Sequence, residues 1–263
     1  MIGAICGDVV GSVYEWHNIK TKEFELFRND CEFTDDSVMT VAIAKASLEY
    51  IKDRNKDKFR ENCIKYMREI GIRYPNCGYG GRFYLWLGSM NPQPYNSFGN
   101  GSAMRVSPVG WVAESLEEAE ELAKISAEVT HNHPEGIKGA VVTAGCIWLL
   151  RNGADKEKVR EYAQKYYDLS LTVDAIRPIY RYDVTCQGTM PPAIVCFLEA
   201  ESFEDTIRNA ISIGGDSDTL AAIAGSIAEA YYGVPEEITE RTLTYLPEDL
   251  KEITIEFLGL LKQ

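Results

Sequence analysis

Apolar residues recur at helical spacing through most of the chain. The stretches 37–52 (SVMTVAIAKASLEYIK) and 59–72 each set them three and four positions apart, the period of one buried helix face. Ser115-Leu116-Glu117-Glu118 has the form of a capping box, with a hydroxyl and a glutamate placed to satisfy the first free amides of the helix SLEEAEELAKISAEV. His133-Pro134 puts proline at a first helical position, where its missing N–H costs nothing, ahead of PEGIKGAVVTAGCIWLL. Further periodic stretches fall at 155–168, 202–213 and 220–232, and two shorter ones close the chain around 235–246 and 247–261. Strand signals are few: Asn100-Gly101 lies in a Gly/Ser-rich loop without flanking alternation, and no strand–helix alternation appears. With no low-complexity linker and no repeat, the pattern predicts a single, all-α domain over residues 1–263.

Composition narrows the class. At 263 residues and 45% hydrophobic, the chain can bury a substantial core, and no apolar run reaches the ~18 residues a membrane span requires. The opening stretch lacks a basic region and carries Asp8, so no signal peptide is expected and the predicted compartment is the cytoplasm. Seven cysteines, an odd number without a C-x-x-C pair, read as reduced core residues. A formal charge of −13 disfavours nucleic acid and anionic lipid as partners, although a local nucleic-acid contact stays open. A small anionic ligand is compatible with it, because a few donors and a bound divalent cation outweigh the global field.

Two acidic clusters each open a helix: Phe33-Thr34-Asp35-Asp36-Ser37 and Gly214-Gly215-Asp216-Ser217-Asp218-Thr219. Helix capping alone accounts for one acid or hydroxyl at such a place. It does not account for adjacent Asp35 and Asp36 together with alternating Asp216 and Asp218, which repel one another unless positive charge lies between them. Carboxylate and hydroxyl oxygens are hard ligands that suit Mg²⁺ or Mn²⁺ rather than zinc. If the two helix starts meet, they form a site for one or two cations. The Gly214-Gly215 pair ends the preceding helix and allows close backbone approach; without a following Gly-Lys-Ser/Thr it is no P-loop.

Gly3, Gly7 and Gly11 form one stripe of a helix, against which another backbone is expected to pack. Glu15 follows between Tyr14 and Trp16. The loop 95–105 (YNSFGNGSAMR) is dense in small residues and amides able to hold phosphate oxygens, with Arg105 as added charge and Phe98 as a stacking surface. Thr130-His131-Asn132-His133-Pro134 holds two of the three histidines, one of which is expected to cap a helix or bond a ligand.

In this order, the segments 3–15, 33–37, 99–105, 130–134 and 214–219 resemble the ADP-ribosylglycohydrolases, especially bacterial members of the dinitrogenase reductase-activating glycohydrolase kind. The resemblance implies an orthogonal helical bundle with a central cleft holding two Mg²⁺ ions, or Mn²⁺. It makes Thr34, Asp35, Asp36, Asp216, Asp218 and Thr219 the metal ligands and Glu15 a mobile acid beside them. It assigns Ser97, Phe98, Gly99, Asn100, Gly101, Ser102 and Met104 to the loop around the ADP-ribose diphosphate and distal ribose, with His131 near that ligand. The implied activity is hydrolysis of the N- or O-glycosidic bond between ADP-ribose and an acceptor on a protein or small molecule, with ADP-ribose as product. Such cleavage passes through an oxocarbenium-like state, and Asp35 and Glu15 are the candidate acid–base groups. A helical isoprenoid synthase is set aside because Met39 stands where a D-D-x-x-D motif needs its last acid, and a His-Asp phosphohydrolase because no His-Asp pair exists. A catalytically silent ADP-ribose-binding module remains the alternative.

Overall fold

A computed structural model describes residues 1–261; positions 262 and 263 of the expected domain lie outside the described residues. In chain order the helices are α1 (Ile2–Gly11), α2 (Asp35–Asp53), α3 (Lys56–Gly71), α4 (Gly81–Gly88), α5 (Gly101–Met104), α6 (Ser107–Val112), α7 (Leu116–Glu128) and α8 (Pro134–Arg151). They continue with α9 (Lys156–Ala163), α10 (Val173–Ile176), α11 (Cys186–Glu199), α12 (Phe203–Ser212), α13 (Ser217–Tyr232), α14 (Glu236–Leu243) and α15 (Glu248–Leu261), with a short 3₁₀ turn at Ser12–Tyr14 after α1. Among the described residues there is no strand, only one isolated antiparallel bridge between Gly99 and Thr185. None of these helices is long and apolar enough to cross a membrane. All seven cysteines are free, and six are buried.

Helix α13 is the centre of the molecule. Every residue from Ser217 to Glu229 is buried, the mark of a helix covered on all sides, here by α1, α8, α11 and α12. The glycine stripe of α1 explains the closest of these contacts. A Cβ on Gly7 would collide with the carbonyl of Ala221, and one on Gly11 would stand 2.5 Å from the Asp218 Cα. Only glycine lets the two backbones approach this closely, and the approach brings Asp8 and Glu15 beside the start of α13.

Local signals explain most helix ends. Thr34 caps α2 through Asp36 N, Ser115 Oγ accepts from Glu118 N at 3.1 Å, and His133 Nδ1 accepts from Glu135 N at 3.1 Å. The capping box departs from its expected form: Glu118 reaches the amide of Glu114 rather than that of Ser115, and also takes the Tyr50 hydroxyl. The periodic stretch 155–168 is helical only to Ala163. Helix α11 carries no clear sequence signal, because Pro191 and Pro192 interrupt it. Pro192 leaves the Gly188 carbonyl without its helical donor, and the Tyr180 hydroxyl donates to that oxygen at 3.1 Å, which lets the helix run on.

Candidate functional site

The two acidic helix starts meet. Carboxylate oxygens of Asp8, Asp36 and Asp218 lie within 4.8 Å of one another, and so do those of Glu15, Asp216 and Asp218. Glu15, Asp36, Asp216 and Asp218 line a cleft of 690 Å³ together with Thr34, Asp35 and Thr219, while Asp8 lies fully buried behind them. Asp36, Asp216, Asp218 and Thr219 are buried, whereas Thr34, Asp35 and Glu15 are partly open to the cleft.

Asp8 organises one side of this centre. Its two carboxylate oxygens accept from Thr34 N at 2.9 Å, Thr34 Oγ1 at 2.6 Å, Ser37 N at 3.0 Å and the Ser37 hydroxyl. One buried carboxylate from α1 thus satisfies the free amides at the start of α2 and fixes how Asp35 and Asp36 enter the cleft. The sequence offered one signal for it: Asp8 is the sole charge in an otherwise apolar glycine helix.

The second helix start is not a cap. Asp216 occupies the N-cap position of α13 without a cap bond, and its Oδ2 accepts instead from Asn100 Nδ2 at 2.6 Å. Gly214 and Gly215 have φ of +69° and +82°, which end α12 and turn the chain sharply into α13. Asn18 ties that turn to the segment carrying Glu15. It accepts from Gly215 N at 2.7 Å and donates to the carbonyls of Tyr14 and Gly215 at 2.7 and 2.9 Å. Glu15 itself accepts from the Tyr182 hydroxyl at 3.0 Å, and Trp16 stacks on that ring at 5.4 Å. Tyr182, in a stretch where the sequence carried no motif, is therefore part of the cleft.

Electrostatics set this centre apart from an ordinary acidic surface. Burial, with Asp8 and Asp216 close by, holds Asp35 well above the usual carboxylate range. Burial and the neighbouring acids do the same to Asp36 and Asp218. Among the described residues no lysine or arginine pairs with any of these acids, and Asp36 Oδ1 has no hydrogen-bond partner at all. Uncompensated, hard oxygen ligands converging out of water fit a divalent cation of the Mg²⁺ or Mn²⁺ kind.

The glycine-rich loop lines the same cleft and touches the acids through Asn100. Asn100 N donates to Val184 O at 2.8 Å and Cys186 N to Phe98 O at 2.9 Å, so the loop is pinned to the start of α11. Ser97, Gly99, Asn100, Gly101, Met104 and His131 line the cleft. Ser102 does not: it is fully buried and donates to Gly136 O at 2.7 Å. Phe98 lies outside the lining, 44% exposed, with its edge on His133. The amides of Gly99 and Asn100 are both used within the chain, so the loop offers fewer free donors than its sequence suggests. Arg105 is buried at the cleft lining, with its Nη2 bonded to Ser126 O and Thr130 Oγ1, and Arg82 reaches the cleft from α4.

Comparison with known proteins agrees with this geometry. The sequence model of the ADP-ribosylglycohydrolase family matches residues 1–262. The chain is similar to ADP-ribosylhydrolase ARH3 of Mus musculus, at 26% identity over 91% of this chain and 84% of that protein. It is similar to ADP-ribosylarginine hydrolase Tri1 of Pseudomonas putida (strain GB-1), at 28% identity over 59% of this chain and 44% of that one. A solved ADP-ribosylglycohydrolase-related protein complex shares the fold with a TM-score of 0.66 at 22% identity, covering 97% of this chain and 95% of its own. The chain therefore belongs to the ADP-ribosylglycohydrolase family.

Proposed function

We propose that the protein, acting as one domain over 1–263, is a divalent-metal-dependent hydrolase that cleaves the N- or O-glycosidic bond joining ADP-ribose to an acceptor. The observation that carries this reading is the convergence of carboxylates from α1, α2 and α13, with no cationic partner among the described residues, at a cleft that the glycine-rich loop also lines. The names of its relatives, an ADP-ribosylhydrolase and an ADP-ribosylarginine hydrolase, support hydrolysis of an ADP-ribosyl linkage.

Asp36, Asp216 and Asp218 would hold the metal with Thr34, Thr219 and Asp35, and Asp8 positions the first of these groups through Thr34 and Ser37. When bound, two divalent cations supply positive charge that offsets the acids and favours an oxygen-rich sugar edge. The chain supplies the rest. The loop from Ser97 to Gly101, with Met104 and His131, cradles the ADP-ribose, which leaves the anomeric carbon facing the acids. A water attacks that carbon as its bond to the acceptor breaks, and the acceptor departs with a proton. Glu15 and Asp35 both face the cleft and are the groups able to move that proton. Burial, and the nearby Asp216 and Asp8, push Glu15 above the usual carboxylate range, which suits a proton donor, while the Tyr182 hydroxyl holds its orientation.

ADP-ribosylated proteins or small molecules are the proposed substrates and free ADP-ribose the product, in a cytoplasmic setting suited to unpaired cysteines. The test is a panel of ADP-ribosylated substrates with defined arginine, serine and nucleobase linkages, incubated with Mg²⁺, with Mn²⁺ and with EDTA. Release of ADP-ribose from at least one substrate, stopped by EDTA and restored by metal, is expected. Binding of ADP-ribose without any release would establish the silent module instead.

A further inference from the structure

Arg105 is buried, yet among the described residues no carboxylate pairs with it. Its Nη2 donates to Ser126 O at 2.9 Å and to Thr130 Oγ1 at 2.8 Å. The first of these is a carbonyl of the last turn of α7, so the negative end of that helix faces the guanidinium where an acid would otherwise stand. The second bond has a consequence for the neighbouring ring. Thr130 Oγ1 lies 2.7 Å from His131 Nδ1.

A guanidinium can only donate, so the Thr130 oxygen is an acceptor toward Arg105. The hydroxyl retains one proton. Among the described residues the acceptor within reach of that proton is His131 Nδ1. Nδ1 is then the bare nitrogen, and a neutral imidazole carries its hydrogen on Nε2. Burial, with Arg105 and Arg82 nearby, keeps His131 in its neutral form. Nε2 points at the glycine-rich loop: a Cβ on Gly101 would stand 3.2 Å from it and one on Gly99 3.5 Å. Both positions lack a side chain, so the nitrogen opens onto the cleft between them.

We propose that Thr130, held by Arg105, is a positioning residue that locks His131 in the Nε2–H tautomer, making it a donor to an acceptor oxygen of the ligand. The identity of that ligand as ADP-ribose rests on the function proposed above; the tautomer does not. A donor fixed before the ligand arrives favours an oxygen-rich group at this point and disfavours a ligand amine or amide N–H.

The full chain, labelled with ¹⁵N-histidine and free of ligand, tests this by long-range ¹H–¹⁵N correlation. With three histidines in the sequence, His131→Gln assigns the signal. The expected spectrum has a pyrrole-type Nε2 and a pyridine-type Nδ1 for residue 131. Thr130→Val should mix or reverse the tautomers, and Thr130→Ser, which retains the hydroxyl, should restore them. ADP-ribose binding to Thr130→Val is expected to weaken about 10-fold, with KM rising more than kcat falls. A wild-type spectrum with hydrogen on Nδ1 would overturn the proposal, as would an unchanged tautomer in Thr130→Val. Should the valine variant fail to fold, the wild-type and serine spectra still decide. Failure of ADP-ribose to bind a wild-type protein that has the expected tautomer would overturn the functional reading and leave the relay standing.

Discussion

Asp36 carries an oxygen, Oδ1, with no hydrogen-bond partner among the described residues, and its other oxygen accepts from the Thr219 hydroxyl at 3.1 Å. A buried carboxylate left this way is destabilising in the metal-free chain and useful only if a cation completes it. Asp36→Ala and Asp218→Ala are therefore expected to keep the helical circular dichroism of the parent and to lower turnover at least about 100-fold. Parent-like rates in either variant would remove these groups from the reaction. Asp8 makes a different case, because four donors from Thr34 and Ser37 already saturate it. Asp8→Asn turns a pure acceptor into a group that is half donor. It should cost about 1–3 kcal/mol of stability in urea unfolding, through donors left unpaired at the start of α2. Turnover should fall as well, about 10- to 100-fold, by displacing Asp35 and Asp36.

The element that matters most is the α1–α13 pair. Its close approach depends on Gly3, Gly7 and Gly11, and it carries Asp8 and Glu15 to the acids of α13. Gly7→Val would force the helices apart. A loss of about 1–3 kcal/mol or more is expected in chemical denaturation, together with lost activity in the molecules that remain folded. Gly259→Ala in α15 is the control, since among the described residues a methyl there meets nothing within 4 Å. It should stabilise by about 0.4–1 kcal/mol through the unfolded chain and leave turnover alone. Equal effects of the two substitutions would mean that glycine in α1 serves conformation rather than approach.

For the molecule as a whole, the acid cluster sets how stability responds to pH and to metal. The folded values of Asp35, Asp36 and Asp218 lie well above the ordinary 3.8. In metal-free protein the folded state thus holds protons that the unfolded chain has released. Their stabilising contribution is complete below the unfolded value and is lost as pH rises through the folded values. His131, held below its ordinary 6.5, acts in the opposite sense and removes stability as pH falls through that value. The comparison with and without metal isolates the carboxylates. In EDTA the Tm should fall as pH rises above about 5; with saturating Mg²⁺ the fall should vanish or reverse, because the cation binds the deprotonated acids. Identical Tm profiles with and without metal would show that these acids hold no cation.

Sequence alone determined those parts of the protein that depend on near neighbours in the chain. Helical periodicity marked α2, α3, α7, α8 and α13, because an apolar face every three or four residues needs no partner to be seen. The clusters Thr34 to Asp36 and Asp216 to Thr219 stood out because capping cannot use so many acids at one helix start. Tertiary structure alone decided what those acids meet. Asp8 reads as one polar residue in an apolar helix until α1 lies against α2, and Tyr182 reads as loop until it reaches Glu15. Pro191 and Pro192 hid α11, since the donor that compensates one of them comes from Tyr180 in a separate segment. Ser102 and Phe98 belong to the glycine-rich stretch by sequence but not to the cleft lining, because Ser102 turns inward from α5 to Gly136 O and Phe98 lays its edge on His133. Periodicity and capping are local, whereas charge that converges across α1, α2 and α13 exists only after their packing has brought distant residues together.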